Sequence, residues 1–254
     1  MFHIMASQED YRAVHERRFL DSISRRREPV WGFSVYATYI DQNSSSESRP
    51  EATSKDQAPA ADLSSFVPDA RFQALLDKVR GYATAYIAYS KFIPAPYDQQ
   101  IIDKCQLKPA AWLPGASLSD VRAHFRSHIG DTTDPAFSDE LFGPMYEWCL
   151  VIDVEAAATI EAGPEPFTKV PRGETYESMF ALQKKVVVKA LEVTYNEQRR
   201  PQVLGAKGRG PKYELLWEGW ISLRPVALLQ LFRDADQNLV KSEFRGVDEV
   251  YDLA

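Results

Sequence analysis

The chain has 254 residues, of which 44% are hydrophobic and 12% aromatic, enough to bury a large core in one α+β domain. No apolar run approaches the roughly eighteen residues of a membrane span, and the opening MFHIMASQEDYR lacks a signal peptide's apolar stretch and cleavage site. A cytoplasmic protein without a membrane partner is therefore expected, its Cys105 and Cys149 reduced, since two cysteines make no disulfide framework. The formal net charge of −6 argues against indiscriminate nucleic-acid binding.

Residues 8 to 27 read as an amphipathic helix closed by Pro29, with Tyr11, Val14, Phe19, Leu20 and Ile23 roughly on one side and arginines on the other. Residues 12 to 27 hold six arginines, ending in Arg25, Arg26 and Arg27, against Glu16 and Asp21, a local balance of +4. WGFSVYATYI (31 to 40) then alternates as a strand: Trp31, Phe33, Val35, Ala37 and Tyr39 share a core face, and Ser34, Tyr36 and Thr38 share the other. Segment 42 to 65 has Leu63 as its single large apolar residue and is dense in Ser, Ala, Pro and charge. It reads as a flexible insert between strand and helix, too polar to offset its own ordering entropy.

A core helix is predicted from Pro68 and Asp69 through Phe72, Leu75, Leu76, Val79, Tyr82, Ala83, Tyr86 and Ile87. A proline-marked loop (Pro94, Pro96, Pro109, Pro114) follows, and SLSDVRAHFRSHIG forms a helix with Ser117 as N-cap and Leu118, Val121, Phe125 and Ile129 as its buried stripe. YEWCLVIDV reads as a strand and EAAATIEAG as a short helix ended by Gly163. YESMFALQKKVVVKALEVTYNEQ is open between helix, favoured by its Leu, Lys and Gln, and strand, favoured by Val186, Val187 and Val188. Residues 198 to 212 read as a loop with three glycines and two prolines, YELLWEGWISL as a strand, and VALLQLFRDA as a final helix with Pro225 in its first turn. The order suggests an α+β fold: a mainly antiparallel or mixed sheet with helices packed on one face, ferredoxin-like in spirit.

A second basic island spans residues 184 to 212, with a balance of +6 that leaves −16 for the rest of the chain. Arg199, Arg200, Lys207, Arg209 and Lys212 belong to it and, with Arg25, Arg26 and Arg27, are the candidate contacts to a nucleic-acid backbone; a solvated surface explains both islands equally. No GxGxxG or GxxxxGK[ST] motif occurs, so no nucleotide cofactor is expected. His124 and His128 stand four apart without a third clustered ligand, and no metal is expected. Cys105, between Lys104 and Lys108, has neighbouring cations able to activate a thiol, although no histidine is nearby in sequence. The polar face of the opening strand is the best candidate wall for a site, with Ser34 or Thr38 as acyl acceptor and Tyr36 as proton donor. Glu147 is the carboxylate that joins them, and Asp153, Glu218 and Trp220 are the candidate substrate contacts, able to clasp a guanidinium group. An ordinary half-exposed strand alternates in the same way.

WGFSVYATYI, EWCLVIDVEA and EGWISLRPVALLQLF, in that order and spacing, resemble a large family of filamentous-ascomycete hypothetical proteins marked by W-G-F-x-V-Y, C-L-V-I-D and E-G-W. Ala37 stands where that family often has arginine, so no role resting on that arginine carries over. By analogy with the arginine-containing cyclodipeptide synthases of fungal secondary metabolism, the resemblance implies an enzyme that joins two aminoacyl groups from charged tRNAs without ATP. The alternatives are a non-catalytic binding or interaction protein and a cofactor-free cyclase or isomerase that tailors a small molecule.

Overall fold

The alternating strand, β1 (Trp31–Ala37), is buried along its whole length. The computed structural model of the protein describes residues 8–26, 29–40, 66–90, 93–129, 143–196, 202–205, 214–237, 239–240 and 250–251. The predicted insert at 42–65, Arg27 and most of the basic loop lie outside the described residues. β1 is flanked by β2 (Cys105–Trp112) and β3 (Trp148–Ile152), and both pairings are parallel. A parallel sheet is stable only when both faces are covered, and that is why β1 has no solvent face.

Beyond β3 the pairing turns antiparallel through β4 (Val188–Glu192) and β7 (Trp220–Leu223), and β8 (Val250–Tyr251) closes the far edge parallel to β7. The sheet order is β2-β1-β3-β4-β7-β8. The architecture is thus α+β with a mixed sheet, as the sequence suggests, and more parallel than a ferredoxin-like arrangement. A separate antiparallel ribbon joins β5 (Gln202–Gly205) to β6 (Glu214–Trp217).

Four readings of the sequence are revised. The predicted loop after the long helix contains β2; its Pro109 is tolerated because β2 is an edge strand, and the register slips past Ala110 in a bulge. Residues 198 to 212 are not loop throughout, since β5 lies within them. YELLWEGWISL is two strands, broken at Gly219, where φ is +77° and a Cβ would stand 2.3 Å from the Tyr195 ring. The ambiguous stretch is both things in turn: helix α6 (Tyr176–Leu182), a 3-10 turn over Gln183–Lys185, then β4. Its helix formers come first and its β-branched residues last.

Most helices lie on the Trp31 face. Helices α1 (Gln8–Ser24), α2 (Ala70–Tyr89), α5 (Val154–Ala162) and α7 (Leu228–Asp236) bury Ile23, Phe72, Ile160 and Phe232 there with Trp31, Phe33 and Val35. The short α3 (Tyr97–Asp103) adds Ile101, whose carbonyl accepts from Trp31 Nε1 at 2.6 Å. Two ion pairs fasten α1 and the turn that follows it to α7: Glu16 with Arg233, and Arg26 with Asp236 at 2.5 Å. The opposite face is covered by α4 (Leu118–Ile129), whose Val121 and Phe125 pack on Tyr36, Cys149, Val151 and Leu191. Among the described residues no helix is long and apolar enough to cross a membrane.

Candidate functional site

The pairing of the strands aligns two rows of side chains on the α4 face. One row runs Ser34, Cys149, Leu191, Trp220; the next, one step toward the carboxyl ends of β1 and β3, runs Tyr36, Val151, Lys189, Ser222. Thr38 and Asp153 follow immediately beyond the second row, with the Thr38 amide donating to the Ile152 carbonyl at 2.9 Å.

The three hydroxyls expected to wall an open pocket are instead enclosed. Ser34, Tyr36 and Thr38 retain only 9%, 0% and 7% of their surface. Tyr36 lies edge-on to His124, its hydroxyl 3.4 Å from Nδ1. Burial, and after it the nearby Cys149, pushes the phenol of Tyr36 well above its usual range, so it stays protonated. Burial likewise raises the Cys149 thiol against the pull of Arg122. Cys105 is not the activated loop thiol that its lysine neighbours suggest: it opens β2, 3% exposed, and burial pushes it up to about 12 against Arg80. A thiol held neutral in this way is a poor nucleophile.

The rings of His124 and His128 stack plane on plane, 3.9 Å between centroids. His128 Nδ1 is 2.8 Å from the carbonyl oxygen of His124, which only accepts, so that nitrogen carries its hydrogen. Burial and then His128 lower the His124 pKa below its ordinary 6.5. Its cation is therefore disfavoured in the fold. The stability it contributes is complete above the unfolded value and is lost as pH falls through the lower folded value. We expect the melting temperature to decline from about pH 7 to about pH 5, with a shallower decline in His124→Gln; equal slopes in the two proteins contradict this assignment.

Glu147 sits before β3, at the end opposite Asp153, roughly 20 Å away along the strand. The structure does not bring it to Thr38. Asp153 and Trp220 do meet, at a residue that the sequence reading missed, and Glu218 joins them through Trp220 from the end of the sheet where Glu147 lies. Lys189 Nζ lies 2.5 Å from Asp153 Oδ2 and 5.3 Å from the centre of the Trp220 indole. Trp220 Nε1 in turn donates to Glu218 Oε2 at 3.3 Å. Lys189 and Asp153 keep 25% and 24% of their side-chain surface, and Glu218 is exposed, so this corner is open to solvent where α4 leaves the sheet bare. The signal for Lys189 was VVVKAL: once that stretch is a strand, Val188 and Ala190 face one core and Lys189 the other side.

The carboxyl end of the sheet gathers three helix N-termini, and each is satisfied from within. Asp69 accepts from Phe72 N at 2.6 Å, Asp153 Oδ1 accepts from Ala156 N at 2.9 Å, and Ser117 and Asp120 cap each other reciprocally. The Ser117 hydroxyl and then its amide hold the Asp120 carboxyl below its ordinary range. Amides already engaged by aspartates do not form a phosphate cradle.

Of the candidate nucleic-acid contacts, Arg25 is exposed at the end of α1, and Arg26 is spent on Asp236 and the Phe232 ring. Both belong to the Trp31 face, across the sheet from Lys189. Arg27, Arg199, Arg200, Lys207, Arg209 and Lys212 lie outside the described residues. Among the described residues no three His, Cys, Asp or Glu side chains are grouped to hold a metal ion. Comparison of the chain with protein-family models, with curated proteins and with solved structures returned no match.

Proposed function

We propose that the protein binds and acts on a small polar organic molecule at the corner made by Asp153, Lys189, Glu218 and Trp220. The observation that carries the proposal is the Lys189 ammonium, held against a carboxylate and an indole yet still 25% exposed. It stands just past the carboxyl ends of the parallel strands β1 and β3, the edge at which α/β-type sheets receive ligands. An ammonium has three donors and Asp153 takes one, so the group can serve a ligand without breaking its own ion pair.

The finer form of the proposal is the one the fungal analogy implies: formation of an arginine-containing cyclodipeptide from aminoacyl-tRNAs, with Asp153, Glu218 and Trp220 as substrate contacts. Of Ser34, Tyr36 and Thr38, Thr38 is the one beside Asp153. Contact with tRNA would fall to Lys184 and Lys185, exposed in the turn before β4, and to the basic loop, rather than to α1. The test is expression in a heterologous host with mass-spectrometric analysis for a new arginine diketopiperazine, beside Asp153→Asn and Lys189→Met controls. A product made by the parent protein and lost in both variants supports the synthase. No product, together with no salt-sensitive binding of tRNA, removes it and leaves a cofactor-free cyclase or isomerase, or a non-catalytic binding protein.

A further inference from the structure

The corner carries both signs of charge around one flat ring, and that pattern specifies its ligand more closely. Lys189 lies over the Trp220 indole, and Glu218 holds the Nε1 edge of the same indole. An ammonium over the ring and a carboxylate at its Nε1 edge are thus kept apart by the indole, each with hydrogen-bonding capacity to spare: two N–H donors on Lys189 and the second oxygen of Glu218. Asp153, whose two oxygens are taken by Ala156 N and Lys189 Nζ, fixes the ammonium in place.

Resting on the binding site proposed above, and not on its tRNA-dependent form, in which the amino acid's carboxylate is esterified, we infer that this corner takes a linear zwitterion. Its carboxylate meets Lys189, its cation meets Glu218, and the chain between them lies along the Trp220 face. The separation of the two protein charges suits a molecule whose own charges are several bonds apart, such as a basic amino acid, better than one whose charges sit on adjacent carbons. Lys189 is then the residue that determines specificity, because it demands an anion at one end of a ligand that Glu218 and Trp220 would otherwise accept as a simple cation.

Arginine and agmatine, which differ only by the carboxylate, separate these roles in calorimetric titrations of the full chain. The parent protein should bind arginine about tenfold tighter than agmatine, the worth of one charge-assisted contact. Lys189→Met should erase that preference. Glu218→Gln, at an exposed position that does not endanger folding, should weaken both ligands by a similar factor and keep their ratio. If both ligands bind the parent but their ratio is the same in Lys189→Met, the role given to Lys189 is wrong while the site survives. If neither ligand binds the parent or Lys189→Met, the site itself is wrong.

Discussion

Replacing Gly32 by alanine should cost about 4 kcal/mol or more, a large share of the roughly 5–15 kcal/mol that holds a domain of this kind folded. Gly32 is the second residue of β1 and has φ +139°, a backbone conformation that L side chains rarely adopt. A Cβ there would stand 1.8 Å from the carbonyl oxygen of Gln106 and 2.7 Å from its carbonyl carbon. Both atoms belong to the backbone of β2, with which Gly32 is in register, so no side chain can rotate away to make room. Relief requires β2 to move, and β2 is tied to β1 along its length. Gly173→Ala is the control: φ there is +94°, but nothing lies within 4 Å of the added carbon. It should cost about 1–2 kcal/mol, the conformational penalty alone. Urea denaturation followed by circular dichroism measures both, and a Gly32→Ala midpoint close to that of Gly173→Ala contradicts the close approach of β1 to β2.

Arg122→Ala should destabilise by roughly 3–5 kcal/mol and abolish ligand binding at the corner. Arg122 is 4% exposed. Its Nε donates to the Glu192 carbonyl at 3.0 Å, and Nη2 donates to the carbonyls of Glu218 at 3.1 Å and Gly219 at 3.0 Å. Its guanidinium also lies 5.0 Å from the centre of the Tyr195 ring. One planar cation from α4 therefore closes the turn between β6 and β7, the turn that places Glu218 and Trp220. Truncation leaves buried acceptors unmatched and frees that turn. Arg122→Lys should recover less than half the loss, because a point ammonium cannot reproduce the fork that spans three carbonyls. Denaturation midpoints and arginine titration of the two variants provide the check; full rescue by lysine contradicts it.

How much of this was legible beforehand differs by element. The alternation of β1, the long stripe of α2 and the Ser117 cap of α4 are local patterns, and they appear where the sequence puts them. β2 was hidden because Pro109 argues against a strand unless its place at the sheet edge is already known. β4 was hidden because Val186 to Val188 follow seven residues of helix after only a three-residue 3-10 turn, so a single window averages two periods into neither. The polar face of β1 was identified correctly as a face and read wrongly as an open wall. Nothing within ten residues of Tyr36 reports that α4, some ninety residues later, will lie over it. Asp153, Glu218 and Trp220 were named for their chemistry, whereas Lys189, which contacts Asp153 and Trp220, needed a strand assignment first. Glu147 was grouped with them because the residues flanking a strand are adjacent in sequence at both ends, although the strand itself holds those ends apart.

The claim on which the functional account turns is that ligand binds beside the Trp220 indole. The direct measurement is an NMR titration with arginine that follows the indole N–H resonances. The Trp220 resonance should move in a saturable way, because its N–H is shared with Glu218 at the open corner. The Trp31 resonance should stay fixed, because its N–H is locked to the Ile101 carbonyl inside the core. A saturable shift at Trp31 with none at Trp220, or no shift at either indole, contradicts the account.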